Sequence, residues 1–337
     1  MDKRKLLIDT DPGIDDALAI MLANASGVFD ILAITTVFGN APLNETAKNA
    51  LFLRDMYGID CKVAVGAQQA MVKSMPFDEN IHGKNGLGNF QYSYIKGKPH
   101  DRWAWELLYE LAKESEGELE ILALGPLTNI AIALLKYPSL KDMIKKIVIM
   151  GGSASSGNVS PYAEFNIHQD PYAANIVFSA SFRDLTLVDL DSCNTAFLED
   201  GESDRMLIQK SKLGSLYETL RKYQRKQFRE YLELHPTLKE SREGKNVFYD
   251  AIATAVAIDP SIAVIEPYFV TCETESLLNY GQTIVDWNGR INRKPNVNLA
   301  RSVNREIFSS MFFEALASYL KEPTVVVEEE VFEYAED

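Results

Sequence analysis

Four carboxylates lie close together near the start of the sequence. Residues 9–16 read DTDPGIDD and contain Asp9, Asp11, Asp15 and Asp16. Such a group would repel itself and raise its own pKa values unless a cation or hydroxyl donors compensate. A hard cation, Ca²⁺ or Mg²⁺, suits an all-oxygen set without nearby His or Cys, and Ca²⁺ leaves positions open for a substrate diol and a water. These residues, which we call the acidic turn, therefore predict a divalent-cation site.

A structural role is the alternative for the acidic turn. In that case Asp15 and Asp16 would only favour a helix N-terminus, and Asp9 and Asp11 would cap a turn. This alternative accounts comfortably for two acids and poorly for four. The spacing therefore favours a functional site over a purely structural role.

Short apolar strands that alternate with helices must position these residues. The predicted strands are Lys5–Asp9, Ile31–Val37, Lys62–Val65, Leu119–Leu124, Lys146–Met150 and Leu185–Leu190. The predicted helices are Ile14–Ala23, Leu43–Tyr57, a helix after Gly125-Pro126 that runs through Leu135, a long helix or helix pair in 203–235, and Val247–Ile258. This alternation predicts an α/β fold: an open, mostly parallel, Rossmann-like sheet with helices on both faces. Ligands bind such sheets at the carboxyl ends of the strands, which is where the acidic turn falls.

Two segments break the alternation of strands and helices. Residues 68–100 and 153–169 have loop-like sequences, and long loops inside a compact domain are more often functional than accidental. The sequence shows no repeat and no linker, so one domain over 1–321 is the simpler interpretation. Residues 322–337 carry seven acids and no base, and we interpret them as a solvated acidic tail.

The composition excludes several classes of function. The chain has 337 residues, 46% of them hydrophobic, and a formal net charge of −14, so we expect no nucleic-acid partner. Three cysteines without paired spacing give neither a disulfide framework nor a zinc motif. No apolar run is long enough for a membrane span, and the first residues lack the apolar region of a signal peptide. We therefore expect a cytoplasmic protein with no membrane partner.

The motifs, taken in order, resemble those of the nucleoside hydrolases, the inosine–uridine-preferring N-ribohydrolase family. The acidic turn is the first of them. The others are TTVFGN at 35–40, HGKNGL at 82–87, GPLTN at 125–129, MGG at 150–152, GN at 157–158, EFNI at 164–167, DP at 170–171 and Asp250. Matches in this order along nearly the whole chain are far more specific than any single glycine pattern.

The resemblance implies hydrolysis of the N-glycosidic bond of a ribonucleoside to ribose and free base. The transition state of such a reaction resembles an oxocarbenium ion. Asp11 would be the general base and would take a proton from a water also held by Ca²⁺. The implied metal ligands are Asp11, Asp16, the backbone carbonyl of Thr128, and Asp250. The implied ribose ligands are Asp15, Asn40, Asn158, Glu164, Asn166 and Asp250.

Each of these polar residues also has a structural interpretation. Asn40 and Asn158 follow glycines and could be turn residues. Glu164 and Asn166 flank an apolar residue like the alternating edge of a strand. Asp250 could be an ordinary acid at a helix N-terminus. Asp9 would not touch the metal or the substrate; it would orient a residue that does, or stabilise the turn. For the other polar residues, only the ordered set of motifs favours a functional role.

The sequence departs from the family at the residue that precedes Asp250. One branch has a His acid there, and the purine-preferring branch has a Trp that stacks on the base; here it is Tyr249. A phenol, with a pKa of about 10, is a weaker acid than imidazolium but offers a hydrogen bond and a ring. The other candidate acid is His82, on a glycine-rich loop that could close over the site. The preference for purine or pyrimidine bases stays open.

A long helix supplies candidate contacts to the base. Tyr223, Gln227 and Tyr231 recur at intervals of four residues and share one helix face. The family uses such a helix near the base, so Gln227 and Tyr231 are expected to contact it, whereas packing is at least as good a role for Tyr223. The resemblance also implies a homodimer or a homotetramer.

Two other classes of protein remain as alternatives. A haloacid-dehalogenase-type phosphatase also begins with a strand and Asp-x-Asp, and would use Asp9 as nucleophile with Mg²⁺. The second pair of acids and the absence of a basic partner for phosphate fit that class poorly. A non-catalytic nucleoside- or Ca²⁺-binding protein is the other alternative, and Tyr249 is its only support.

Overall fold

The central sheet sets the position of every candidate residue. The computed structural model describes residues 2–76, 79–92, 95–203, 212–234 and 243–321, and within these ranges eight strands form one sheet. The sheet strands are β1 (Arg4–Thr10), β2 (Phe29–Thr36), β3 (Lys62–Val65), β4 (Leu119–Ala123), β5 (Ile144–Met150), β6 (Leu185–Val188), β9 (Ala263–Tyr268) and β12 (Val297–Val303). Their order is β3-β2-β1-β4-β5-β6-β12-β9, and only the edge pair β12–β9 is antiparallel among them. Short antiparallel pairs are formed by β7 (Leu198–Glu199) with β8 (Lys245–Asn246) and by β10 (Val270–Cys272) with β11 (Thr283–Val285).

Helices connect the strands and cover the sheet. They are α1 (Ile14–Ala25), α2 (Leu43–Met56), α3 (Glu79–His82), α4 (Ala104–Glu114), α5 (Thr128–Lys136), α6 (Leu140–Met143), α7 (Phe165–Gln169), α8 (Pro171–Ser179), α9 (Leu190–Cys193), α10 (Asp200–Ser203), α11 (Lys212–Leu234), α12 (Tyr249–Ile258) and α13 (Arg305–Lys321). A 3₁₀ turn covers Pro260–Ile262. None of the helices in the described ranges is long and apolar enough to cross a membrane.

Alternate residues of β1 enter two different cores. Leu6 and Ile8 pack with α1, α2, α12 and α13, whereas Leu7 packs with α4, α5 and α8 on the opposite face. All three side chains are buried, as expected for a parallel strand that is covered on both faces. This confirms the predicted mostly parallel sheet with helices on both faces.

The structure differs from the sequence-based assignment at one helix and at two strands of the sheet. Residues 165–169, assigned to a loop, form α7. The strands β9 and β12 were not predicted. The edge strand β9 contains Pro267, and its sequence, AVIEPY, does not alternate between apolar and polar residues. The predicted acidic tail, 322–337, lies outside the described residues.

Candidate active site

Three carboxylates from two helices meet at the carboxyl ends of the strands. Asp15 and Asp16 lie in the first turn of α1, and Asp250 lies in the first turn of α12, which packs on α1. One carboxylate oxygen from each lies within 4.8 Å of the others. We call these three residues the acidic cluster. Both helices point their N-termini, and hence their positive dipole ends, at it, which partly offsets the negative charge.

The acidic cluster is electrostatically strained without a cation. Burial raises the pKa of Asp15 to about 6. Burial and the neighbouring Asp15 raise the pKa of Asp16 to about 6. Burial, followed by the charges of Asp15 and Asp16, raises the pKa of Asp250 well above its usual range. These carboxyls therefore retain protons in mild acid unless a cation replaces them, which is the behaviour expected of a metal site.

Asp11 lies beside the acidic cluster in a pocket that only glycines leave open. Its Oδ2 accepts the backbone N–H of Asn40 at 2.7 Å. A Cβ atom added to Gly39 would lie 1.9 Å from Oδ2, and one added to Gly125 would lie 2.5 Å from Oδ1. In the part of the chain that the structure describes, the buried Oδ1 has no hydrogen-bond partner. Burial and the charge of Asp16 raise the pKa of Asp11 well above its usual range.

Asp16 and Asn40 join the acidic turn to the end of β2. Asp16 Oδ2 accepts the backbone N–H of Gly13 and the side-chain amide of Asn40, both at 2.9 Å, and its Oδ1 accepts the hydroxyl of Thr10. The bond from Gly13 is that of a helix cap. Asp16 thus has the structural role that the sequence offered as an alternative, and it also contributes to the acidic cluster.

Asp9 lies behind the acidic cluster and connects neighbouring strands. Its Oδ1 accepts the hydroxyl of Thr35 at 2.6 Å and the side-chain amide of Asn129 at 2.8 Å. Asn129 in turn accepts the backbone N–H of Ala67 at 2.8 Å. Burial raises the pKa of Asp9 to about 6. Asn129 is the last residue of the GPLTN motif, and its bond to Asp9 is not apparent from the sequence alone.

A second polar group lies at the ends of β4 and β5. Glu164 caps α7, since its carboxylate accepts the backbone N–H groups of Asn166 at 2.9 Å and of Ile167 at 3.1 Å. Asn166 donates to the carbonyl of Leu124 at 2.8 Å. The strand-edge interpretation of Glu164 and Asn166 is therefore wrong. Burial raises the pKa of Glu164 to about 7, and the charge of Asp15 adds to this, which places Glu164 within electrostatic reach of the acidic cluster.

Asn158 and Thr128 have well-defined partners around this group. Asn158 Oδ1 accepts the backbone N–H of Phe165 at 2.9 Å, at the start of α7. Thr128 is buried at the start of α5, and its hydroxyl donates to Asp170 Oδ2 at 2.7 Å. Asp170 also accepts the N–H of Ala173, and so caps α8. The predicted ligand in Thr128 is its backbone carbonyl, which leaves this hydroxyl bond intact.

His82 lies against the acidic turn, and Tyr249 lies at the start of α12. His82 Nδ1 accepts the backbone N–H of Ile14 at 3.2 Å, so the proton of the neutral imidazole is assigned to Nε2. A Cβ atom added to Gly13 would lie 2.6 Å from the same nitrogen. Tyr249 is half-buried next to Asp250, and its carbonyl accepts the Cys193 thiol at 3.8 Å. Both candidate acids thus adjoin elements of the acidic cluster.

The long helix α11 lies next to the glycine-rich loop. It contacts α3, and a Cβ atom added to Gly88 would lie 3.0 Å from Tyr223 Cβ. Tyr223 is half-buried and packs against the hydrophobic core that contains α1 and α12. Gln227 is half-buried on this helix, and the described part of the chain gives no hydrogen bond between it and the acidic cluster. The side chain of Tyr231 lies outside the described residues.

Comparison with known proteins supports the motif-based assignment. The chain matches the family described as "Inosine-uridine preferring nucleoside hydrolase" over residues 6–310. It is 32% identical over 316 residues to the non-specific ribonucleoside hydrolase RihC of Escherichia coli O127:H6, covering 93% of this chain and 98% of the relative. It is 36% identical over 293 residues to uridine nucleosidase 1 of Arabidopsis thaliana, covering 85% and 84%.

A solved structure agrees with the same assignment. The purine-preferring ribonucleoside hydrolase from Gardnerella vaginalis is 31% identical, with a TM-score of 0.86, over 94% of this chain and 99% of that one. The agreement in sequence and fold covers nearly the whole chain, and the residues that match the family, 6–310, include the acidic turn. The chain is therefore a member of the inosine-uridine preferring nucleoside hydrolase family, and its chemistry is nucleoside hydrolysis.

Proposed function

We propose that the chain hydrolyses the N-glycosidic bond of ribonucleosides to ribose and free base, with Ca²⁺ as cofactor and Asp11 as general base. The observation that carries the proposal is the environment of Asp11. Its carboxylate is buried beside the acidic cluster, and one oxygen has no hydrogen-bond partner among the described residues. A buried carboxylate with a free oxygen and a raised pKa is suited to accept a proton from water.

The donor set around Asp11 fits a hard cation. All of the proposed ligands are oxygens: the carboxylates of Asp11, Asp16 and Asp250, and the carbonyl of Thr128. When bound, Ca²⁺ would make a water more acidic and would hold the 2′- and 3′-hydroxyls of ribose. We prefer Ca²⁺ to Mg²⁺ because Ca²⁺ accepts six to eight oxygen ligands in flexible geometry and so leaves room for a water and a substrate diol, whereas Mg²⁺ demands near-octahedral geometry.

The ribose would be held by the polar strand ends. Asp15 and Glu164 accept hydrogen bonds from sugar hydroxyls, and Asn40, Asn158 and Asn166 add amide groups. Asp15 follows β1, Asn40 follows β2, and the other three follow β5; all are buried or half-buried, apart from the exposed Asn158. Their negative charge lies where the ribose ring becomes cationic, which favours the transition state over the substrate.

His82 and Tyr249 are the proposed donors to the departing base. His82 Nδ1 accepts the backbone N–H of Ile14, so Nε2 is the ring nitrogen that carries the proton of the neutral imidazole. The Tyr249 hydroxyl can donate a hydrogen bond, and its ring can stack on the base. Gln227 and Tyr231 on α11 are proposed to contact the base itself. The relatives include a uridine nucleosidase and a purine-preferring enzyme, so we leave the base preference open.

We also propose a cytoplasmic location and a homodimeric or homotetrameric state. The three cysteines are unpaired, and two of them, Cys193 and Cys272, are buried, which suits a reducing compartment. The oligomeric state rests on the family resemblance. Size-exclusion chromatography with light scattering measures it directly.

The substrate class is tested with a panel of inosine, adenosine, guanosine, uridine and cytidine in the presence of Ca²⁺. We expect free ribose from at least one of them, and cleavage of the matching 2′-deoxynucleoside about a hundredfold more slowly. The reason is that loss of the 2′-hydroxyl leaves buried acceptors unpaired. Ribose is measured as reducing sugar, with p-nitrophenyl phosphate as the control for phosphatase activity.

Two outcomes of this panel would contradict the proposal. Phosphate release without ribose release would favour the phosphatase alternative. Nucleoside binding without turnover of any member would favour a non-catalytic binding protein. Binding is measured separately by calorimetry.

Cation binding is expected to depend on pH through the acidic cluster. Because the folded carboxyls of Asp15 and Asp16 titrate at about 6 rather than near 4, the metal-free fold binds more protons than the unfolded chain. Their contribution to stability is present below pH 4 and is lost as pH rises from about 4 to about 6. Ca²⁺ should therefore raise the melting temperature more at pH 7.5 than at pH 5.0. Equal shifts at the two pH values would contradict this assignment.

A further inference from the structure

Asn49 connects two parts of the active site that are distant in sequence. It lies on α2 and is fully buried. Its side-chain amide donates to the carbonyl of Pro12 at 2.9 Å and to the carbonyl of Asn85 at 2.7 Å. Its Oδ1 accepts the hydroxyl of Tyr92 at 2.5 Å. Both amide protons and the oxygen are therefore engaged.

These partners belong to the acidic turn and to the segment that carries His82. Pro12 lies between Asp11 and the start of α1, whereas Asn85 and Tyr92 lie in residues 82–92, which we call the His82 loop. The backbones of the two segments approach closely beside Asn49. A Cβ atom added to Gly86 would lie 2.9 Å from the Asn49 amide nitrogen and 3.1 Å from the Pro12 carbonyl.

Hydrogen bonds within the His82 loop connect Asn85 to the rest of the loop. Asn85 Oδ1 accepts the backbone N–H groups of Leu87 and Asn89, both at 3.0 Å, and its amide donates to the carbonyl of Phe90 at 2.8 Å. Leu87 is fully buried. A bond to the Asn85 carbonyl therefore fixes the loop as a unit rather than one residue of it.

We propose that Asn49 is a positioning residue for nucleoside hydrolysis, which holds the His82 loop at a fixed distance from the acidic turn. His82 reaches the N–H of Ile14 only while the loop lies against this turn. Asn49 thereby acts through His82, so the inference rests on the proposed role of His82 as donor to the leaving base. Without Asn49, the loop would leave the turn and the imidazole would lose its orientation.

A matched set of variants tests this proposal. Asn49→Leu removes all three hydrogen bonds and keeps the branched shape and the number of side-chain heavy atoms. Tyr92→Phe is milder, because it removes one bond and keeps the ring that stacks on Phe52 at 4.2 Å. Asn296→Leu is the control, since Asn296 also donates to two carbonyls and accepts one N–H, but between β10, α8 and the segment before β12.

Two readouts separate positioning from general stability. The first is amide hydrogen exchange of peptides within 82–92, measured on the Ca²⁺-loaded enzyme. The second is kcat and KM with the best substrate of the panel. We expect Asn49→Leu to speed exchange in the loop about tenfold or more and to lower kcat about tenfold or more. Tyr92→Phe should show smaller changes of the same sign, and Asn296→Leu should change neither by more than about twofold.

The double variant Asn49→Leu/His82→Ala tests whether the effect passes through His82. In the His82→Ala background, Asn49→Leu should change kcat by less than about twofold. Unchanged loop exchange in Asn49→Leu, or in Tyr92→Phe if the first variant does not fold, would overturn the proposal. The proposal would also be overturned if Asn49→Leu showed faster loop exchange and an unchanged kcat while His82→Ala alone lowered kcat. A fully active His82→Ala would instead reject the role of His82, while the exchange data would still report on the attachment of the loop.

Discussion

Replacement of Asp11 by Asn is expected to lower kcat for ribonucleoside hydrolysis by about a thousandfold, with a much smaller change in KM. Asn keeps the shape that fits between Gly39 and Gly125 and can still accept the N–H of Asn40 through its oxygen. It cannot take a proton from water, and general-base catalysis contributes about a hundredfold to ten-thousandfold. Release of ribose under saturating substrate measures the effect.

Asp9→Asn is the matched control for this variant. Asp9 is also buried with a raised pKa, and it lies two residues away on the same strand end. Its Oδ1 accepts from Thr35 and Asn129, so an Asn oxygen preserves both bonds. We expect a loss of less than about tenfold. The reverse ranking, with Asp9→Asn inactive and Asp11→Asn active, would reject Asp11 as the base and fit the nucleophile of a phosphatase.

Removal of divalent cations is expected to abolish turnover almost completely, by about a thousandfold or more, and Ca²⁺ should restore it. The reason is that the proposed cation would make the attacking water more acidic and would hold the ribose hydroxyls, and neither function is supplied without it. The measurement is kcat after treatment with a chelator and gel filtration, with residual metal quantified by mass spectrometry. Full activity in a protein shown to be metal-free would contradict the proposed cofactor.

Calorimetric titration of Ca²⁺ gives a second readout that does not depend on activity. Asp250→Asn should weaken Ca²⁺ binding at least about tenfold, because it removes the only carboxylate of the acidic cluster that α12 supplies. Asp189→Asn is the control, since Asp189 is a buried acid with a raised pKa that caps α9 instead. It should bind Ca²⁺ normally. A titration with Mg²⁺ tests the choice of ion.

Local patterns in the sequence were sufficient to predict where the residues of the candidate site lie when those residues belong to a single motif. The acidic turn, the strand ends and the mostly parallel sheet follow from local patterns, because a strand that ends in a polar turn exposes its polar groups at one edge of the sheet. Asp250 needed the family resemblance, since an acid at the start of an apolar helix is common without any site.

The supporting contacts could not be read from the sequence, because their partners are distant along the chain. Asn129 bonds to Asp9 across 120 residues, and Asn49 bonds to Pro12 across 37. No local spacing identifies such pairs. Glu164 was misread for a different reason: its carboxylate caps a helix of five residues, too short to produce a periodic apolar pattern.

The origin of the acidic cluster in two distant helices has a consequence for biosynthesis. Asp15 and Asp16 leave the ribosome more than two hundred residues before Asp250, and α1 can pack on α12 only after that interval has been translated. The loop that closes between them is long, so this contact costs more conformational entropy than a local one, and we expect it to form after the local contacts. A nascent chain would therefore carry an incomplete candidate cation site for most of its synthesis. Binding of the proposed Ca²⁺ would begin only when α12 has docked, and it would then oppose the reopening of the finished fold.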